Sequence, residues 1–191
     1  MVNLGILGST NGTDLQTILD SIELGSLNAK VSIVISNKKD AYILKRAKKY
    51  NVPTAFIPHK GKKRKNFDFE LTTILKHYNV ELILLIGFMR ILSPYFCKEW
   101  NQRILNVHPS LLPKYAGGMD NNIHAEVLKN KDKETGCTIH FVTDTVDEGP
   151  IIIQKRCKVN PGDTISSLKS KVQKLEGLAF LEVIPLFDHN G

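Results

Sequence analysis

Apolar positions along the chain recur with two periods, and the switching between them predicts alternating strands and helices. Residues 2–8 form a short apolar run closed by Gly8, which predicts a strand. Leu15, Ile18, Leu19 and Ile22 then fall at i, i+3, i+4 and i+7, so a helix follows, with Thr13 or Asp14 as its cap and Gly25 as its stop. Residues 31–36 predict a second strand, Asp40 to Lys49 a helix, and Val52 to Ile57 a third strand. Phe67, Leu71, Ile74, Leu75 and Tyr78 outline another amphipathic helix. Glu81 to Ile86 is almost wholly apolar, as a parallel strand buried on both faces should be. Ser93 as N-cap, with Pro94 at the first helical position, opens a short helix. Ile104 to His108 predicts a strand that must stop at Pro109, because proline has no N–H for the ladder.

A further helix is expected around Ile123 to Lys129. Cys137–Thr143 and Ile151–Val159 alternate strictly, predicting antiparallel strands joined by the loop from Asp144 to Pro150. Thr164 to Phe187 reads as a long helix, capped by Asp163 or Thr164, with Ile165, Leu168, Val172, Leu175 and Leu178 as its buried stripe. The expected fold is α/β: a Rossmann-like open, mostly parallel sheet with helices on both faces and a C-terminal antiparallel strand pair. No repeat or linker divides the 191 residues, so a single domain over 1–191 is expected.

Composition adds three constraints. The longest apolar run is far shorter than the ~20 residues of a membrane helix, so no membrane partner is expected. The first residues carry no secretory pattern, and the three cysteines are neither paired nor spaced for metal, which suggests a cytoplasmic chain. The net charge of +7 suits an anionic partner, and much of the excess sits in the run Lys60 to Lys65. A nucleic-acid module would need stacking aromatics interleaved with that charge, and the aromatic residues are scattered instead.

The candidate chemistry centres on the end of the predicted strand at Pro109. Asn106 and His108 share one face there, at the kind of strand end where open α/β sheets hold ligands. His140 lies on a neighbouring predicted strand and Asp147 in the loop that follows it. An amide, an imidazole and a carboxylate suit acyl transfer with no covalent intermediate. No serine or cysteine sits in a nucleophile elbow, so the nucleophile would belong to the substrate. The first turn, Ser9-Thr-Asn-Gly-Thr-Asp14, precedes a helix and would offer backbone N–H groups to an anion. The loop from Gly87 to Pro94 mixes apolar residues with Arg90, as a wall for a flat ring would.

These segments, together with Ser36-Asn-Lys-Lys-Asp-Ala41, Asn106-Val-His-Pro-Ser-Leu-Leu-Pro113 and His140-Phe-Val-Thr-Asp-Thr-Val-Asp-Glu-Gly-Pro150, resemble the phosphoribosylglycinamide formyltransferases. The resemblance covers nearly the whole chain. It implies formyl transfer from 10-formyltetrahydrofolate, as co-substrate, to the amine of glycinamide ribonucleotide in purine biosynthesis, without a metal. Asn106, His108 and Asp147 match the catalytic trio: Asn106 and a protonated His108 would stabilise an oxyanion, and Asp147 would keep His108 charged. Gly12, Thr13, Asp14 and Glu176 match the ribonucleotide site, with Asp14 expected to cap the helix through its side chain. Arg64, Met89, Arg90, Ile91, Leu92, Asn106, Thr143, Asp144, Thr145, Val146 and Asp147 match the folate site. His140 is a supporting residue. The partners implied are small molecules, and the chain a monomer or homodimer.

The segment Ala116 to Asn122 departs from the pattern. Some relatives have a histidine there, where this chain offers Met119, Asp120 or, later, His124. With the chain ending soon after Phe187, the C-terminal extension found in some relatives is not expected. Methionyl-tRNA formyltransferase would need a further C-terminal domain, and formyltetrahydrofolate hydrolase an N-terminal one.

Overall fold

The computed structural model describes residues 1–118 and 120–188. In chain order the elements are β1 (Val2–Gly8), α1 (Thr13–Glu23), β2 (Ala29–Ser36), α2 (Tyr42–Lys49), β3 (Thr54–Phe56), α3 (Arg64–His77) and β4 (Leu82–Ile86). There follow α4 (Pro94–Glu99), β5 (Ile104–His108), α5 (Asp120–Lys129), β6 (Glu134–Phe141), β7 (Ile151–Lys158) and α6 (Ile165–Val183) with a closing 3₁₀ turn at Ile184–Phe187. The strands form one sheet in the order β3-β2-β1-β4-β5-β6-β7. β1 to β5 are parallel, and β6 and β7 add on as antiparallel strands. This is the expected open, mostly parallel sheet with an antiparallel pair at its C-terminal edge.

Period-two alternation sorts the strand residues between two cores. Leu4, Ile6, Leu82, Leu84 and Ile86 pack with Leu15, Ile18, Ile43, Val172 and Phe180, which puts α1, α2 and α6 on one face. Leu7, Ile33, Ile35, Ile83 and Leu85 pack with Phe67, Leu71, Leu75, Phe96 and Trp100, which puts α3 and α4 on the other. β4 is buried along its whole length, as its apolar run requires. No helix among the described residues is long and apolar enough to cross a membrane.

Three local expectations are corrected. Neither Thr13 nor Asp14 is the N-cap of α1: that position is Gly12, in the left-handed region (φ 66°), which has no side chain to cap with. Asp14 lies inside the first turn and is buried. On α6, Ile165 and Leu178 are exposed, and the buried face runs through Leu168, Val172, Glu176, Gly177, Phe180 and Val183 instead. Gly177 turns towards α1, where a Cβ would lie 2.8 Å from Thr17 Oγ1, so the close approach of the two helices rotates the stripe. β6 is longer at its start and ends at Phe141, not Thr143. The cap of α6 is Thr164, which exchanges reciprocal hydrogen bonds with Ser167.

Burial and capping differ in weight, and α6 allows both to be measured. Phe180→Ala should cost about 3–5 kcal/mol by cavity formation. Thr164→Ala should cost about 1 kcal/mol through the lost cap. Urea unfolding of the two variants checks the order; similar costs would mean that Phe180 is not the core residue described.

Candidate active site

The antiparallel pairing of β5 and β6 sets the register of the site. Asn106 lies opposite His140, and His108 opposite Thr138. Asn106 Nδ2 is 3.2 Å from His140 Nε2. His140 Nδ1 is 2.8 Å from the Phe141 carbonyl oxygen, which can only accept, so Nδ1 carries the hydrogen. Nε2 faces both the Asn106 amide and the Asp147 carboxylate.

β6 ends opposite Leu105, so the following loop must fold back over the sheet to reach His108. Asp147 makes that return in the left-handed conformation (φ 57°), one that aspartate tolerates better than most residues. Two residues on, Gly149 passes so close to β6 that a Cβ would lie 1.7 Å from the Phe141 carbonyl oxygen. The Cys97 thiol donates to the Thr143 carbonyl at 3.3 Å and anchors the start of the loop.

Asp147 ends between two imidazoles. Its Oδ2 is 3.3 Å from His108 Nδ1, and its Oδ1 is 3.5 Å from His140 Nε2. The Gly117 N–H donates to Oδ2 at 2.8 Å. Burial opposes the carboxylate charge, but the bond to His140, the Gly117 N–H and the field of both rings outweigh it and hold the pKa below the ordinary carboxylate value. His108 shows the opposite balance. Burial pushes its pKa below the ordinary value, against the Asp147 charge and the Tyr115 carbonyl, both of which raise it. His108 Nε2 is 3.0 Å from that carbonyl, so Nε2 carries a hydrogen and Nδ1 faces the carboxylate. The expected charge on His108 is therefore opposed by burial and supported by Asp147, which faces Nδ1, and by the Tyr115 carbonyl, which faces Nε2.

These groups line a cavity of about 810 Å³. One end is walled by the segment after β4. Met89 and Ile91 expose 40% and 54% of their surface there, apolar area that a flat ligand would cover. Leu92 is buried beneath them, and the Arg90 guanidinium lies 4.3 Å from the Phe67 ring centroid. Thr143, Asp144, Thr145 and Val146 form the rim. The other end is the turn before α1, with Gly12, Thr13 and Asp14, faced by Lys169, Gln173 and Glu176 of α6. Ser9 ties the two ends together. Its N–H donates to the Gly87 carbonyl at 3.1 Å, and its Oγ accepts from the Met89 N–H at 2.9 Å.

Every sequence-derived site residue except Arg64 lines this cavity. Arg64 is exposed at the start of α3. Lys169 and Gln173 carry no motif; the only available signal was their helical spacing, seven and three residues before Glu176. Tyr115 and Gly117 act through backbone atoms and left no side-chain signal. Of the residues offered for the loop histidine, Met119 lies outside the described residues, Asp120 opens α5, and His124 is fully buried on α5 without lining the cavity.

Comparison with known proteins agrees with this arrangement. The formyl transferase family pattern matches residues 2–184. A phosphoribosylglycinamide formyltransferase of Escherichia coli (strain K12) is 39% identical over 97% of this chain and 87% of its own length. The trifunctional purine biosynthetic protein adenosine-3 of Gallus gallus is 40% identical over 97% of this chain, which spans only 18% of that larger protein. Among solved structures, glycinamide ribonucleotide transformylase 1 from Symbiobacterium toebii superposes with a TM-score of 0.92 at 39% identity, covering 98% of this chain and 87% of its own. The phosphoribosylglycinamide formyltransferase from Coxiella burnetii gives 0.91 at 41% identity, covering 97% and 86%. The match along nearly its whole length shows that this chain belongs to the formyl transferase family.

Proposed function

We propose that the protein transfers a formyl group from 10-formyltetrahydrofolate to the amine of glycinamide ribonucleotide, a step of purine biosynthesis, in the cytoplasm. The observation that carries this reading is the convergence of Asn106, His108 and Asp147 in one cavity that the apolar Met89 and Ile91 and the turn at Gly12 also line. Met89, Ile91 and Leu92 would cover the pterin ring. Gly12, Thr13 and Asp14 would offer backbone N–H groups to the phosphate, with Lys169 and Gln173 facing them and Glu176 at the ribose. Arg64, outside the cavity, would meet only the part of the folate that projects from it.

Burial holds the His108 pKa down and leaves the ring able to take up a proton, while Asp147 beside it stabilises the charged form. The amine attacks the formyl carbon, forming a C–N bond and moving the carbonyl π electrons onto oxygen. The new nitrogen cation gives a proton to His108 Nδ1. The resulting imidazolium, paired with Asp147 through Nδ1, adds positive charge to the site where the oxyanion develops, and Asn106 donates from its amide. On collapse the C=O bond re-forms, the folate nitrogen leaves, and His108 returns the proton to it. The net change is one formyl group for one amine proton.

Mixing the protein with glycinamide ribonucleotide and 10-formyltetrahydrofolate should release deformylated folate only when the ribonucleotide is present. Release without it would assign a hydrolase instead. Asn106→Ala should lower kcat by roughly 10²–10³-fold with an unchanged melting transition; a near-normal rate would remove the oxyanion role. His108 also makes a prediction about stability. Because its folded pKa lies below the ordinary 6.5, the unfolded chain binds a proton that the folded chain does not. Stability should therefore fall as pH drops below about 6.5, and His108→Gln should flatten that dependence. Urea midpoints across this range check it, and identical slopes would mean that burial does not depress the pKa of the ring.

A further inference from the structure

The turn before α1 is gripped from outside the cavity by α2. The Ile43 N–H donates to the Thr10 carbonyl at 3.1 Å, and Arg46 Nε donates to the Asn11 carbonyl at 2.7 Å. Both carbonyl oxygens are thus held by groups of α2. In a trans peptide plane the C=O of one residue and the N–H of the next point in opposite directions. Holding the Asn11 carbonyl towards Arg46 therefore aims the Gly12 N–H the other way, and Gly12 lines the cavity while Arg46 does not. Gly12 itself has no room for a side chain: a Cβ would lie 2.4 Å from Ile43 Cγ1.

The orientation of Arg46 is fixed in turn. Its Nη1 donates to Gln16 Oε1 at 2.8 Å. The Gln16 amide nitrogen is committed to Asp20 at 2.8 Å and to the Tyr50 hydroxyl oxygen at 2.6 Å, and that hydroxyl donates to Asp20. The amide can then present only its oxygen to Arg46. The guanidinium also lies over the Tyr42 ring, 4.9 Å from its centroid. A lysine could replace the bond to Asn11 but not the fork that reaches Gln16 as well.

We propose that Arg46 is a positioning residue for the anionic group of the substrate: it turns a carbonyl away and a backbone N–H towards the site where the phosphate of glycinamide ribonucleotide would bind. This rests on the reaction proposed above. Without the clamp the Asn11–Gly12 peptide is free to rotate and present its oxygen to a phosphate dianion, which would repel it.

Arg46→Met keeps much of the stem and removes the donors. It should raise KM for glycinamide ribonucleotide about tenfold, the worth of one charge-assisted hydrogen bond, while the folate KM and kcat stay within about twofold. Arg46→Lys should recover part of the loss. Independently of turnover, the Gly12 amide resonance of the wild type should shift on titration with inorganic phosphate, and the Arg46→Met protein should need about tenfold more phosphate for the same shift. Unchanged KM values and an unchanged phosphate titration would overturn the proposal. So would an equal loss for both substrates with a lowered melting temperature, which would make Arg46 merely structural. If the wild type transfers no formyl group but its Gly12 response depends on Arg46, the clamp stands and the assigned reaction falls.

Discussion

A single buried carboxylate between two imidazoles sets the terms for the site. Removing a charge from water is costly unless partners replace the water, and an uncompensated charge here would expel the loop that carries it. Asp147 meets that requirement with a backbone N–H from Gly117 and the two rings of His108 and His140. Each partner comes from a different segment: the loop before α5, the end of β5 and the end of β6. The carboxylate therefore fixes three pieces of chain against one another. It also explains the backbone nearby, where Asp147 takes a left-handed conformation and Gly149 leaves no space for a side chain.

The same constraint shapes the chemistry. Burial holds the His108 pKa below the ordinary value, yet one of its nitrogens faces a carboxylate that stabilises the protonated ring. A group in that balance responds strongly to a new negative charge, and an oxyanion is such a charge. Ser9 bonds both Gly87 and Met89, so the turn before α1 and the apolar wall share one support. Fixing the distance between two substrates in this way is how a scaffold turns a collision into a positioned reaction. α2 acts on the polar end from behind, without touching the cavity.

Much of this was legible in the chain. Helical spacing and strand alternation located the elements to within a few residues, because burial on one face leaves a periodic trace. The proline after His108 marked the strand end, and Ser93-Pro94 marked a cap that Ser93 does make to the Phe96 N–H. The misplacements were those of competing local choices. Thr13 and Asp14 are good caps in isolation, but the crowding of Ile43 against the turn admits only Gly12. Ile165 and Leu178 fit an apolar stripe, but the packing of α6 on α1 rotates the helix and buries Glu176 instead.

The sequence by itself determined the elements, the mostly parallel character of the sheet and the residue types at the strand end, since these follow from local periodicity and from what each side chain can do. The tertiary structure alone decided the rest. Asn106 and His140 are 34 positions apart and meet through strand register. Asp147 reaches His108 only because its loop doubles back. Whether His108 is charged depends on how much water its surroundings exclude, and whether Arg46 matters depends on which way a carbonyl faces. Burial and backbone direction are properties of the assembled chain, and no local pattern encodes them.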